Sequence, residues 1–153
     1  MKEKTQKVVA ALMISADGKI LLAKCKPLPS VAYGKAWIIP GGVVDGGETN
    51  EEALQREVFE ETGIDISINT RLELVVEGDK DNVVRVNKNG EQILCHIEFY
   101  TYKITLPRNS KEYSLADTEE LINLTWFEPH ELQNLEHAKP SRNLFKKVGM
   151  PGF

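Results

Sequence analysis

Three glutamates at spacings of three and four residues, Glu57, Glu60 and Glu61, carry the strongest chemical signal in this chain of 153 residues. On an α-helix these spacings bring the carboxylates to neighbouring positions on one face. Each like-charge pair costs about 0.2–0.5 kcal/mol, and a carboxylate in the last turn also opposes the helix dipole. Because Mg²⁺ or Mn²⁺ would convert this repulsion into coordination by oxygen, the pattern predicts a metal site. A solvated acidic face paired with Arg56 and nearby lysines is the alternative.

A short helix must hold these glutamates, and the residues at its two ends delimit it. Thr49 or Asn50 is suited to the N-cap position, where a side-chain oxygen accepts a backbone N–H. Gly63 is suited to the left-handed conformation that ends many helices. We therefore predict a helix from Asn50 to Thr62.

A longer pattern of restricted positions surrounds the glutamates. It is filled by Gly42, Glu48, Arg56, Glu57, Val58, Glu60, Glu61, Gly63 and Ile64. These residues and their spacing resemble the signature of the Nudix hydrolases, with every defining position occupied. The signature covers only this part of the chain, although the order of the surrounding predicted elements also resembles that family.

The resemblance implies a chemistry and a role for each matching residue. Nudix hydrolases cleave a nucleoside diphosphate linked to another group, using Mg²⁺ or Mn²⁺ held by the glutamates of the helix. The implied metal ligands are Glu57, Glu60, Glu61 and the backbone carbonyl of Gly41. Arg56 is implied to orient the carboxylates through charge-assisted hydrogen bonds, and Glu48 to act as an outer or water-mediated ligand.

The residue types fit that chemistry independently of the resemblance. A bound metal neutralises phosphate charge and lowers the pKa of a coordinated water, and a carboxylate can accept the proton of the attacking water. Glu57 is one candidate for this base. Family members often take a further acid from later in the chain, where Glu120 and Glu119 are candidates and Glu98 is another.

Three residues outside the glutamate set are candidates for contact with substrate: Trp37, Gly42 and Arg142. Trp37 could stack on a base or belong to the core, and Gly42 is one of the glycines packed at the predicted site. Arg142, together with His137 and Lys139, could touch phosphates or mark a solvated helix end.

The alternating residues His96, Glu98, Tyr100 and Tyr102 give one predicted strand a polar and aromatic face. This face could line the pocket or meet solvent.

Composition limits the class of protein. The length predicts one domain spanning residues 1–153, and 41% hydrophobic with 27% charged residues is typical of a globular protein. A net charge of −4 argues against a nucleic-acid duplex as partner.

Cys25 and Cys95 lack metal-binding spacing and indicate free thiols in a reducing compartment. With no apolar run of signal-peptide or membrane-span length, we expect a cytoplasmic protein without membrane contact.

The pattern of apolar runs and turns predicts a mixed sheet flanked by helices. Predicted strands lie at 8–15, 19–26, 37–39, 83–86, 92–106 and 124–127, and residues 64–76 include a further extended segment. Loops are predicted from Pro27 to Lys35 and, with many charges, at 77–81, and later helices at 129–135 and 140–148. This order predicts an α/β fold, an α/β/α sandwich around a mixed β-sheet, which the Nudix resemblance also implies. Exposed strand edges could pair in a homodimer, and no residue locates an interface.

The substrate is the least determined part of the prediction. Around Gly78–Asp81, where Nudix enzymes specific for ADP-ribose or diadenosine polyphosphates would carry a proline or a tyrosine, the chain has neither, and it lacks the NADH and coenzyme A motifs. We therefore expect a nucleoside triphosphate, oxidised or not, cleaved to the monophosphate and pyrophosphate. The alternatives are a nucleotide-sensing module without turnover and a hydrolase of a non-nucleotide diphosphate, such as an isoprenoid or sugar derivative.

Overall fold

A computed structural model of the protein describes residues 1–26, 35–67 and 70–153. The described residues form β1 (Lys2–Ile14), β2 (Ile20–Cys25), β3 (Trp37–Ile38), β4 (Gly41–Val43), α1 (Asn50–Thr62), β5 (Arg71–Val86), β6 (Gln92–Thr105), β7 (Leu121–Phe127) and α2 (Lys139–Lys147), with short 3₁₀ helices at Ser110–Glu112 and Pro129–Asn134. None of these helices is long and apolar enough to cross a membrane. The predicted loop that opens at Pro27 lies, up to residue 34, outside the described residues.

All seven strands belong to one mixed sheet in which β1 is central. The order along the sheet is β3-β2-β1-β6-β5, with β4 paired to β1 and β7 paired to β2. β1 runs parallel to β6 along its whole length, from Lys2 opposite Ile93 to Ile14 opposite Thr105. The other strand pairs are antiparallel. The predicted mixed sheet is therefore confirmed.

The two helices cover opposite faces of the sheet because side chains alternate along each strand. In β1, Val9, Ala11 and Met13 pack in a cluster with α1. Leu12, between them in sequence, packs in a second cluster with Leu144 of α2. This arrangement is the predicted α/β/α sandwich.

The charged segment at 77–81 was predicted as a loop, and that prediction was wrong because these residues belong to β5. Gly78 has a φ of 78°, and the pairing of β5 with β6 shifts register twice nearby. Such shifts are β-bulges, which bend a strand without ending it. Because β5 is an edge strand, its charged side chains can reach solvent while its backbone remains paired.

The predicted hairpin between residues 8–15 and 19–26 is present only near its turn, where Ile14 lies opposite Ile20. Beyond the turn, β2 pairs with β3 and β7, and β1 pairs with β4 and β6. β1 also begins at Lys2 rather than Val8, because its polar first residues pair with a strand distant in sequence. The extended segment predicted within 64–76 and the strand predicted at 83–86 belong to one strand, β5, which begins at Arg71. The strand β4 at Gly41–Val43 was not predicted.

Candidate active site

The glutamates lie on α1, whose ends are determined by local side-chain chemistry. Thr49 is the N-cap: its hydroxyl accepts a hydrogen bond from the Glu52 N–H at 3.1 Å, and the Glu52 carboxylate accepts one from the Thr49 N–H at 3.0 Å. This reciprocal pair is a capping box. Gly63 ends the helix with a φ of 75°, so the predicted bounds are confirmed. The last turn carries no basic residue, and its acidic side chains therefore oppose the helix dipole.

Two glycines of β4 allow this strand to lie unusually close to its neighbours. A Cβ atom at Gly41 would overlap the backbone of β1 at Val9, and one at Gly42 would overlap the carboxylate of Glu57. The space that a side chain at Gly42 would fill is thus occupied by Glu57. The glycines therefore bring the β4 backbone against the glutamates of α1.

Glu61 is nearly enclosed, with 3% of its surface exposed. One of its oxygens accepts a hydrogen bond from the Gly41 N–H at 2.8 Å. Burial is the main cause that raises the pKa of Glu61 to about 9, and the nearby carboxylates of Glu57 and Glu120 raise it further. No basic side chain that the structure describes forms an ion pair with Glu61.

Glu57 and Glu120 complete a cluster with Glu61. The three side chains offer oxygen atoms that all lie within 4.8 Å of one another. Glu120 is positioned by the pairing of β7 with the end of β2. Leu121 of β7 lies opposite Cys25 of β2, and the Lys26 N–H donates a hydrogen bond to the Glu120 carbonyl at 3.1 Å. The structure therefore brings together residues more than 50 positions apart, which spacing alone could not assign.

Glu60 lies outside this cluster, although the sequence placed it beside Glu57 and Glu61. Its side chain is 55% exposed, and one of its oxygens lies 3.4 Å from Nη1 of Arg56. Glu119 is exposed and does not line the cavity described below. The pair of neighbouring acids at 119–120 is thus divided, with only Glu120 joining the cluster.

Arg56 uses its whole guanidinium to hold the acidic residues around it. Nε and Nη2 donate to the two oxygens of Glu48 at 2.7 and 2.9 Å, Nη1 donates to Glu57 at 2.9 Å, and Nη2 also donates to the Val43 carbonyl at 3.2 Å. The bond from Arg56 is the main cause that lowers the pKa of Glu48 to about 2. These contacts place the guanidinium between Glu48 and Glu57, and the orienting role that the resemblance implied for Arg56 stays a prediction.

A cavity of about 620 Å³ opens beside the three glutamates. This is within the range of pockets that hold small ligands. Its walls come from all seven strands, from α1 and from the first turns of α2, and its basic lining residues are Lys26, Lys80, Arg85 and Lys139. Sequence reasoning had singled out only Lys139 among these four. The glutamate cluster and the cations thus share one concave site.

Two of the three candidate substrate contacts lie away from this cavity. Trp37 packs edge-on against Phe127 with ring centroids 5.0 Å apart, and Lys24 Nζ lies 4.8 Å from its ring centre. This placement agrees with the core alternative for Trp37. Arg142 is also absent from the cavity lining, which does include Gly42.

Two of the open alternatives for pocket contacts are not supported by the structure. Phe99 and Thr101 of β6 line the cavity, whereas Tyr100 and Tyr102, which could have lined it or met solvent, pack with the α1 cluster on the other face. The alternation was read correctly, but the sequence did not show which face meets α1. His137 is 5% exposed, and its Nε2 lies 2.6 Å from the Leu132 carbonyl, so it belongs to the core and does not reach a phosphate.

A family model described as NUDIX domain matches residues 4–148. Because this match covers nearly the whole chain, the chain belongs to the Nudix hydrolase family, and the membership that the motif predicted is confirmed. The solved structure of a MutT protein from Methanosarcina mazei Go1 superposes with a TM-score of 0.61 at 21% identity, covering 97% of this chain and 96% of that one. This likeness shows a shared fold.

Two curated relatives differ in how much of their length is matched. NudI from Escherichia coli O17:K52:H18, a nucleoside triphosphatase, is 26% identical over 145 residues, which are 95% of this chain and 98% of the relative. An ADP-ribose pyrophosphatase from Methanocaldococcus jannaschii is 41% identical over 69 residues, 45% of this chain and 39% of the relative. The chain therefore spans well under half the length of that second relative.

Proposed function

We propose that this protein hydrolyses the phosphoanhydride chain of a nucleoside triphosphate in a metal-dependent reaction, releasing the monophosphate and pyrophosphate. The observation that carries the proposal is the convergence of Glu57, Glu61 and Glu120 within 4.8 Å at the wall of a 620 Å³ cavity. The similarity to the nucleoside triphosphatase NudI over nearly the full length of both chains supports this substrate class.

The residues present fit Mg²⁺, or Mn²⁺ in its place. Hard divalent cations prefer carboxylate oxygens, and we propose Glu57 and Glu61, which share the cluster with Glu120, as the carboxylate ligands. Glu60 and the carbonyl of Gly41, which the family resemblance also implied as ligands, stay predictions. When bound, the ion supplies positive charge for the phosphate oxygens and lowers the pKa of a coordinated water.

Glu120 is the residue that we propose as acceptor of the proton from the attacking water. One oxygen of Glu57 is held by Arg56 at 2.9 Å, and one oxygen of Glu61 accepts the Gly41 N–H at 2.8 Å. Glu120 is exposed and forms no ion pair with any basic side chain that the structure describes. Its oxygens are therefore the least committed of the cluster.

The experiment measures phosphate and pyrophosphate release from nucleoside triphosphates, oxidised purine triphosphates, ADP-ribose, nucleotide sugars and dinucleotides, with Mg²⁺, with Mn²⁺ and with chelator. We expect metal-dependent release of pyrophosphate from a triphosphate. Glu120→Gln should lower kcat about 10²- to 10⁴-fold, and the matched variant Glu119→Gln should retain wild-type kcat. Hydrolysis of ADP-ribose in preference to triphosphates would contradict the substrate assignment, and nucleotide binding without cleavage of any compound would contradict the activity.

A further inference from the structure

Arg85 is a cation of the cavity wall that neither the family motif nor the glutamate cluster accounts for. It lies near the end of β5, in the hairpin that β5 forms with β6. The residues flanking it, Val84 and Val86, point to solvent with 51% and 43% of their surface exposed. Because side chains alternate along a strand, Arg85 points to the opposite face, where it lines the same cavity as Glu57 and Glu61.

The guanidinium of Arg85 is incompletely satisfied by the residues that the structure describes. Among them, its buried Nε has no hydrogen-bond partner, and no carboxylate lies within 4.0 Å of its nitrogens. Arg56, in contrast, donates to several acceptors at once. A buried donor without an acceptor, on a side chain that is always charged, costs free energy until an anion supplies the missing partner.

Arg85 and the glutamates lie on the wall of one cavity, which Glu61, Glu120 and Arg85 all line. Cys25, which pairs with Leu121 beside Glu120, lines it as well. A ligand seated at the glutamates can therefore extend along this wall toward Arg85.

We propose that Arg85 binds the phosphate chain of the substrate, taking phosphate oxygens that lie beyond those neutralised at the glutamate cluster. This inference rests on the proposed function, because it assigns a binding residue to the same nucleotide. A guanidinium offers parallel N–H donors that match two phosphate oxygens. A keto oxygen of a base would satisfy Nε but would leave the charge of Arg85 uncompensated, so the unpaired charge favours phosphate.

The test compares Arg85→Gln and Arg85→Lys with Arg71→Gln. Arg71 is exposed at the other end of β5 and does not line the cavity, so its variant removes the same charge from the same strand without touching the site. The probe is inorganic pyrophosphate, whose Kd is measured by calorimetry in the presence of Mg²⁺. Steady-state kcat and KM for the best triphosphate substrate and the midpoint of thermal unfolding are measured beside it.

We expect Arg85→Gln to raise both the Kd for pyrophosphate and the KM about tenfold to hundredfold, the range for a lost charge-assisted hydrogen bond. The kcat should change less than the KM. Arg85→Lys should bind pyrophosphate more tightly than Arg85→Gln but more weakly than the wild type, because lysine keeps the positive charge and lacks the two parallel N–H donors of the guanidinium. Arg71→Gln should bind pyrophosphate as the wild type does, and the unfolding midpoints should agree.

Three results would overturn the inference. They are an unchanged pyrophosphate Kd in Arg85→Gln, an equal loss of affinity in Arg71→Gln, and a loss of affinity for the unphosphorylated nucleoside in place of pyrophosphate. The last result would assign Arg85 to the base. The pyrophosphate measurement needs no turnover, so failure of the wild type to hydrolyse any substrate would reject the proposed function without deciding the role of Arg85.

Discussion

Neighbouring acidic residues of α1 are held by different partners. Glu57 is bound by Arg56, and Glu61 by a backbone N–H. Arg56 binds Glu48 through two nitrogens and Glu57 through the third, while Glu60 lies at the exposed margin of this group at 3.4 Å. Glu61 is held from the other side by the Gly41 N–H. Two neighbouring glutamates, Glu60 and Glu61, therefore have different environments despite their adjacent positions.

Glu61→Gln should lower turnover about 10²- to 10³-fold, the range for removing one electrostatic group from a site. The amide oxygen can still accept the Gly41 N–H, so the variant should fold, and without metal it should be at least as stable because a buried acidic group is gone. Steady-state kinetics with Mg²⁺ and thermal unfolding with chelator measure the two effects. Wild-type turnover would remove Glu61 from the ligand set.

Glu60→Gln is the matched substitution one residue away, and the motif predicts a large loss of turnover for it as well. The exposed position of Glu60 outside the three-carboxylate cluster makes us expect a smaller loss than for Glu61→Gln. Titration of activity with Mg²⁺ in both variants measures this order. A larger loss in Glu60→Gln would move the centre of the metal site to the exposed side of α1.

Among the secondary-structure elements, the contact between β4 and α1 depends on the absence of a side chain at Gly42. Gly42→Ala should displace Glu57, because the added methyl group would overlap its carboxylate, and we expect a loss of turnover of about tenfold or more. Gly46→Ala is the control, since a Cβ there meets no atom within 4 Å and that loop should keep its conformation. Steady-state kinetics compares the turnover of the two variants, and circular dichroism tests whether both keep the fold. Equal activity in the two would contradict the packing argument.

The packing of α2 against the chain end contains a buried histidine that should make stability depend on pH. His137 packs against both Phe145 and Phe153, and burial is the main cause that lowers its pKa below the ordinary value. Because the unfolded chain takes up this proton more readily than the folded one, its contribution to stability is present above a pH of about 6.5 and is lost as pH falls through the lowered pKa.

His137→Asn should therefore flatten the decline of the unfolding midpoint between about pH 7 and pH 5. The control is His130→Asn, which changes an exposed histidine and should keep the wild-type slope. The slope is the quantity compared, because removing a core side chain also lowers the midpoint at every pH. A wild-type slope in His137→Asn would assign the pH dependence to other groups.

For the whole molecule, the sequence predicted features set by neighbouring residues better than those set by distant ones. Thr49, Gly63 and the glutamate spacing define α1 locally, and this part was confirmed. The parallel pairing of β1 with β6 and the arrival of Glu120 depend on strands far apart in sequence, so local patterns do not contain them. The charges around Gly78 indicated a loop because a bulged edge strand and a loop favour the same residues.

Addition of Mg²⁺ should raise the unfolding midpoint of the whole protein. Ligands that bind only the folded state stabilise it by about 2.7 kcal/mol at a free concentration 100 times the Kd, and here the ion would also relieve repulsion among three carboxylates. Differential scanning calorimetry with and without chelator at constant ionic strength measures the shift. We expect the shift to shrink in Glu61→Gln. An equal shift in that variant would show that Mg²⁺ binds elsewhere.

The alternation along β6 also bears on how such a protein can change during evolution. Phe99 and Thr101 face the cavity, whereas Tyr102 and Ile104 lie in the core beneath α1. A single strand therefore carries two interleaved sets of positions under different selection, one for ligand shape and one for folding. Libraries that vary only the cavity-facing positions can alter substrate preference without changing the core residues on which the stability of the fold depends. This matters because mutations that create new activities usually lower stability.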